Sequence, residues 1–209
     1  MGREYRTESE IRALFDSLGV EYLPRPRFGY EFSDSFDLRL TGYYRANRRS
    51  FERLERRYGP EIERAALGPV YIAEAAGMGL GLFAAEELPK GTLIGEYTGI
   101  VRAAVEFRLT DEPEPDDPDE PRQFPTDYAW GYPECLPGLE LEIDAAEAGN
   151  ELRFVNHSFR PNLAVEHTAV GNRWAVFFIA SRRIRPGEQL LADYGEEYWS
   201  GGHRVLVLV

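Results

Sequence analysis

The chain has 209 residues, 43% of them hydrophobic and 13% aromatic, with a formal net charge of −12. That length holds one domain with an appendage and a real core, not two large domains. No apolar run approaches the roughly 20 residues that cross a bilayer, which excludes a membrane-spanning helix, and the single cysteine, Cys135, excludes intrachain disulfides and cysteine-rich zinc clusters. The negative balance argues against a general nucleic-acid binder. It suits a basic partner such as a Lys/Arg-rich protein tail, and it equally suits a surface that only confers solubility. Met1 to Glu10 carries charge and no apolar core of the signal-peptide kind, so secretion by that route is not expected.

In chain order, Thr7 followed by Glu10 reads as a capping box, and Ile11, Leu14, Phe15 and Leu18 recur at helical spacing until Gly19. A short amphipathic helix is predicted there. After a Tyr/Pro-rich connector, Phe51, Leu54 and Tyr58 mark a second helix, with Arg45, Arg49, Arg53 and Arg56 on a different face. That arginine row is expected to be solvated and paired with Glu52 and Glu55, with recognition of an acidic partner as the other reading. From Val70 the texture turns to short β-like runs: Val70 to Ala73, Leu93 to Tyr97, Leu139 to Ile143, Ala175 to Ala180 and Gln189 to Ala192. This predicts a mostly β domain over 69–199, preceded by a helical extension over 1–68 and followed by a tail over 200–209. An Asp/Glu/Pro-dominated stretch near 110–125 reads as a solvated loop, with a clamp on a basic peptide as the alternative. Val205 to Val209 reads as a docked strand or a pairing edge.

Several segments place polar residues where chemistry could occur. Gly77, Gly79 and Gly81 alternate, which lets backbone amides approach a ligand, although a glycine hairpin explains the spacing as well. The phosphate-loop and dinucleotide patterns are both absent. Tyr97 and Gly99 close one strand, while Asp193, Tyr194, Gly195, Tyr198 and Trp199 follow another. Such a concentration of aromatics is either core packing or a narrow slot for a long aliphatic chain with a cationic head. Within Arg153, Phe154, Val155, Asn156, His157 and Ser158, the buried amide and imidazole must be hydrogen-bonded, so they either lock a turn or hold a ligand. Ser158 lacks a nucleophile elbow, and Cys135 with His157 carries no protease signature. His157, His167 and His203 lack ligand spacing, so no metal site is expected.

Taken together and in order, these pieces resemble the SET-domain family of protein lysine methyltransferases. Gly77 to Ala84 is similar to the family's first glycine motif, and Glu96, Tyr97, Thr98 and Gly99 to its next strand. Arg153 to Ser158 with Pro161 and Asn162 resembles its Asn-His-Ser signature, and Asp193, Tyr194 and Gly195 its terminal tyrosine motif. The resemblance covers about residues 69–199. It implies small β-sheets with a pseudoknot, in which the segment bearing the last tyrosine tucks beneath a loop near Asn156 and His157; threaded chains are rare and gather distant segments around one site.

The resemblance further implies S-adenosyl-L-methionine as cofactor, with the backbone of Gly79, Leu80 and Gly81 along its methionine part. Asn156 and His157 would hold its amino acid and adenine ends, with Met78, Arg153, Tyr194 and Trp199 also at that pocket. The implied substrate is a lysine of a basic protein or peptide, histone-like or ribosomal, and no direct nucleic-acid or membrane binding is expected. Tyr194 and Tyr97 are the implied catalytic residues, orienting the amine and acting electrostatically. Tyr97, Tyr128, Ala192 and Tyr198 would line the substrate channel. Ala192 stands where many members place Phe or Tyr, and the space it leaves points to products beyond monomethylation unless Tyr128 fills it. With no flanking cysteine-rich segments, Tyr198 and Trp199 are the candidates for covering the adenine. Lys90 is the only lysine; the compact domain, the lack of zinc clusters and the arginine-rich, lysine-poor composition point to a bacterial or other microbial origin, cytoplasmic if bacterial and intracellular in any case, with nuclear or host-directed action left open. The competing reading is a non-catalytic SET-like module that binds a peptide or protein.

Overall fold

The computed structural model describes residues 3–29, 37–104, 128–133 and 140–195. The acidic stretch near 110–125, Cys135, Tyr198, Trp199, His203 and the run from Val205 to Val209 lie outside the described residues.

In chain order the elements are β1 (Glu4–Tyr5), α1 (Glu8–Leu18), β2 (Glu21–Tyr22), β3 (Arg27–Phe28), α2 (Gly42–Glu63), β4 (Val70–Ala75), β5 (Gly79–Ala84), β6 (Leu93–Glu96) and β7 (Ile100–Ala103). Then come β8 (Ala129–Tyr132), β9 (Leu141–Asp144), β10 (Ala148–Gly149), β11 (Asn156–His157), β12 (Leu163–Val170), β13 (Arg173–Ala180) and β14 (Leu191–Ala192). A 3-10 turn over Glu151–Phe154 leads into β11.

α1 begins where the sequence places it. The Thr7 hydroxyl accepts the Glu10 N–H, the Glu10 carboxylate accepts the Thr7 N–H, and Gly19 ends the helix at φ 67°. These reciprocal bonds satisfy amides that the first turn otherwise leaves unpaired. Ile11, Leu14 and Phe15 are buried, with Phe15 edge-on to Phe154 at 5.7 Å, while Leu18 falls outside the packed stripe. α2 is capped by the Thr41 hydroxyl, which accepts the Tyr44 N–H at 3.0 Å. It buries Tyr44, Phe51, Tyr58 and Ile62, residues seven, seven and four apart, which is one helical face. The expected pairing of the arginine row is corrected here. Glu52 binds Arg48 at 2.6 Å and Glu55 binds Arg39 at 2.7 Å, so both carboxylates are held by other arginines.

The strands form small sheets: antiparallel β1-β4-β5, antiparallel β12-β13-β6, and a mixed sheet in the order β3-β7-β9-β8. Two parallel pairs, β2 with β10 and β11 with β14, tie distant segments together. The first 68 residues therefore supply β1, β2 and β3 to sheets and pairs completed by later chain. β13 separates two layers, because neighbouring side chains of a strand face opposite ways. Phe177 packs on Tyr58 of α2 at 5.3 Å, and Phe178 packs on Tyr97 and Trp130 at 5.7 and 5.3 Å. At the end of β6 the buried Glu96 carboxylate is gripped by both terminal nitrogens of Arg173, one bond measuring 2.9 Å. Burial pushes the Glu96 carboxyl above its ordinary range even though Arg173 pulls the other way.

Candidate active site

The site is assembled by the chain from Gly187 to Gly195, which is held on two sides. On one side it runs along β5: Gly187 N–H donates to the Ala84 carbonyl at 2.8 Å, Ala84 N–H to the Glu188 carbonyl at 3.0 Å, and Leu190 N–H to the Leu82 carbonyl at 2.8 Å. On the other side β14 pairs in parallel with β11, matching Asn156 to Leu191 and His157 to Ala192, and Ser158 N–H donates to the Ala192 carbonyl at 2.9 Å. Asn162 locks the thread. Its Oδ1 accepts the Leu191 N–H at 2.8 Å, and its Nδ2 donates to the Gln189 carbonyl at 2.7 Å. This crossing is the physical form of the expected pseudoknot, and it places Gly81, Asn156 and Tyr194 in one neighbourhood.

Tyr194 is fixed at both ends. Its backbone N–H donates to His157 Nδ1 at 3.1 Å and its hydroxyl donates to the Val155 carbonyl at 2.6 Å. Accepting that N–H requires Nδ1 to be unprotonated, so the neutral His157 ring carries its proton on Nε2. Burial lowers the His157 pKa, and Asp193 at 3.9 Å opposes the shift. The aromatic wall beside Tyr194 is Trp130, edge-on at 5.4 Å, backed by Phe178 and Tyr97.

The remaining expected residues take distinct places. Tyr97 is 2% exposed, and its hydroxyl donates to the Tyr128 carbonyl at 2.5 Å. Burial drives the Tyr97 phenol well above its ordinary pKa, so it stays protonated and donating. Arg153 is buried, donates to the carbonyls of Ala145 at 3.0 Å and Ala146 at 3.3 Å, and stacks its guanidinium 4.2 Å over the Tyr128 ring. Both residues thus hold the segment that carries Tyr128, whose own ring is partly exposed. Ala192 is fully buried in the main core cluster. Met78 lies in the turn between β4 and β5, its N–H donating to the Ala75 carbonyl at 3.0 Å.

The glycines of β5 are required by geometry. Gly79 has φ 73°, a region that disfavours side chains. A Cβ on Gly81 would lie 2.7 Å from Gln189 Nε2, 3.0 Å from the Ala75 Cβ and 3.3 Å from Asn156 Nδ2. Asn156 spans the same gap, donating from Nδ2 to the Leu80 carbonyl at 3.1 Å. Open backbone at Gly79 beside the amide of Asn156 fits a ligand carrying both an ammonium and a carboxylate, as the amino acid end of S-adenosylmethionine does.

Sequence reading passed over Trp130, Asn162 as a clamp, and Phe159, which sits exposed and edge-on to His157 at 4.5 Å. Trp130 lies between segments without periodicity, and the role of Asn162 depends on residues 27 and 29 positions away.

With this geometry in hand, the comparisons with known proteins are consistent. The SET-domain family model matches residues 79–195, more than half of the chain. The protein belongs to the SET-domain family. It is similar to histone-lysine N-methyltransferase 2D of Homo sapiens, 31% identical over 137 residues that cover 65% of this chain and 2% of the relative. Histone-lysine N-methyltransferase Su(var)3-9 of Drosophila melanogaster is 37% identical over 130 residues, 60% of this chain and 19% of the relative. The chain thus spans a small part of the curated relatives it matches. Among solved structures, ATXR5 in complex with histone H3.1 mono-methylated on R26 superposes with a TM-score of 0.62 at 17% identity, over 90% of this chain and 87% of that one, a likeness of fold. The polycomb repressive complex 2 structure from Chaetomium thermophilum gives a TM-score of 0.50 at 29% identity, over 64% of this chain and 16% of that one.

Proposed function

We propose that this chain is a protein-lysine N-methyltransferase that uses S-adenosylmethionine and acts on a lysine in a basic protein segment, histone-like or ribosomal. The observation that carries the reading is the double anchoring of Tyr194, beside the Asn156 amide and the Gly79 to Gly81 backbone. In this reading Gly79 to Gly81, with Met78 at the preceding turn, hold the methionine part of the cofactor. Asn156 and His157 hold its amino acid and adenine ends. The bound cofactor supplies a methyl group on a positively charged sulfur.

The protein's task is then to present a neutral amine. A free lysine with pKa about 10.4 is almost wholly protonated at neutral pH, and removal from water beside a cation lowers that value. Trp130 and Tyr194 form an aromatic wall that excludes water from the approaching side chain. The Val155 carbonyl, which accepts the Tyr194 hydroxyl at 2.6 Å, and that hydroxyl are the polar groups available to orient the amine. Tyr97, expected at the amine, and Arg153, expected at the cofactor, act in this reading as positioning residues that hold the Tyr128 segment. Ala192 is packed in the core rather than open to a channel, so products beyond monomethylation are proposed only on its lack of an aromatic ring that would crowd a methylated amine. The net charge of −12 favours encounter with a cationic peptide.

Incubation with radiolabelled cofactor and a broad panel of basic proteins tests the proposal. Label recovered as methyl-lysine supports it. Absence of transfer despite confirmed cofactor binding would favour a non-catalytic peptide-binding module.

A further inference from the structure

α2 carries a feature that methyl transfer does not use. Between Gly42 and Arg57 it holds six arginines against two glutamates, a local surplus of four positive charges in a chain whose total is −12. Arg45, Arg49, Arg53 and Arg56 are all exposed and, at 100° per residue, fall within an arc of about 80° over a length of about 17 Å. The buried face, defined by Tyr44, Phe51 and Tyr58, lies on the opposite side of the helix. The nearby carboxylates are held elsewhere, Glu52 by Arg48 and Glu55 by Arg39. Among the described residues, no carboxylate lies within ion-pair distance of any of the four, although Arg56 acts on Glu52 from farther off, and Arg53 donates to the Ser50 hydroxyl at 3.4 Å. Glu61 and Glu63 come only in the last turn, roughly a Debye length or less beyond Arg56.

We infer that this row is a docking strip for the phosphodiester backbone of a nucleic acid duplex. Guanidinium groups present forked donors that match phosphate oxygens, and successive arginines rise about 4.5–6 Å along one rigid line. Arginine is itself a common interface anchor, but a protein partner's contact is centred on a desolvated patch that also holds apolar or aromatic side chains. The strip has none between Arg45 and Arg56. Membrane insertion is disfavoured because the apolar face of α2 is already buried beneath the helix. The overall negative charge does not cancel the strip, since charges farther than about 8–10 Å through solvent are screened at physiological salt. The inference stands apart from the proposed catalysis, because it requires neither cofactor nor substrate lysine.

Fluorescence anisotropy of the whole chain with labelled mixed-sequence duplex DNA, duplex RNA and poly-glutamate, across a salt series, tests it. Four phosphate contacts predict sequence-independent binding to duplex DNA whose log–log salt slope is about −3.6, or roughly a 150-fold loss of affinity from 50 to 200 mM. Replacing Arg49 and Arg53 together by Gln should reduce the slope by about 1.8, whereas Arg12→Gln on α1 should leave it unchanged. Comparable binding of duplex RNA identifies the backbone as what is read, while binding of DNA alone narrows the ligand to that duplex. Three results would overturn the inference: no duplex binding at 50 mM salt, a slope unaltered by the double substitution, or poly-glutamate bound more tightly than either duplex, which would assign the strip to an acidic protein surface.

Discussion

Asn162 and Leu191 are joined by two hydrogen bonds: the Asn162 side-chain oxygen accepts the Leu191 N–H at 2.8 Å, and the Asn162 N–H donates to the Leu191 carbonyl at 3.1 Å. Asn162 is 1% exposed, so bulk water cannot replace its side-chain bonds to the Leu191 N–H and the Gln189 carbonyl. Asn162→Ala should destabilise the fold by about 2–4 kcal/mol, because it leaves the Leu191 N–H and the Gln189 carbonyl without their partner. Urea denaturation measures that loss, and calorimetry should show weakened cofactor binding even where the protein remains folded, since the thread positions Tyr194. Wild-type affinity in the folded variant would mean that the clamp does not govern the site.

Gly81→Ala tests the closeness of three elements. The new methyl group would press on Gln189 Nε2, the Ala75 Cβ and Asn156 Nδ2, all within 3.3 Å. Overpacking of this kind costs about 1–3 kcal/mol. The expected outcome is native-like circular dichroism with cofactor affinity lowered at least about tenfold, the equivalent of about 1.4 kcal/mol. Unchanged affinity would show that the β5 backbone does not contribute to the pocket.

The two halves of this site differ in how far the sequence reveals them. The α1 cap was legible because Thr7 and Glu10 are three residues apart, and the physics of a helix start is local. Tyr194, Asn156 and the glycines could be singled out by type, and their order pointed to the family. Their mutual geometry could not be read, because the parallel β11-β14 pair joins two-residue strands far apart in sequence and too short to show a period. β12 is hidden from the sequence for a related reason: Glu166, His167 and Thr168 interrupt its apolar pattern, yet His167 is accommodated by stacking on Tyr43, whose hydroxyl lies 2.7 Å from its Nε2. Spacing alone locates the arginine row but not its ion pairs, since Arg39, which takes Glu55, comes from outside the helix.

Glu188 ties the thread to its surroundings electrostatically. Arg182 beside it, with the Arg185 N–H and the Asn162 amide, lowers its pKa to about 2, against an ordinary 4.5. A carboxyl depressed by folding stabilises the native state above its unfolded pKa, and this contribution disappears as the pH falls through the folded value. The stability difference between wild type and Glu188→Gln should therefore be full above about pH 5 and decline toward zero near pH 2. Denaturant titrations across that range measure it. A difference independent of pH would show that the charge is not what stabilises this corner.

The methyl-transfer account rests most directly on Tyr194 and a lysine nucleophile. Mass spectrometry of a lysine-containing basic protein substrate, after incubation with S-adenosylmethionine and either wild type or Tyr194→Phe, measures both at once. The account predicts that wild type adds one or more methyl increments, localised to lysine, and that the variant binds cofactor but transfers at least about a hundredfold more slowly, a loss of about 2.7 kcal/mol of transition-state stabilisation. Equal rates from the two proteins, or methyl groups found on residues other than lysine, would contradict it.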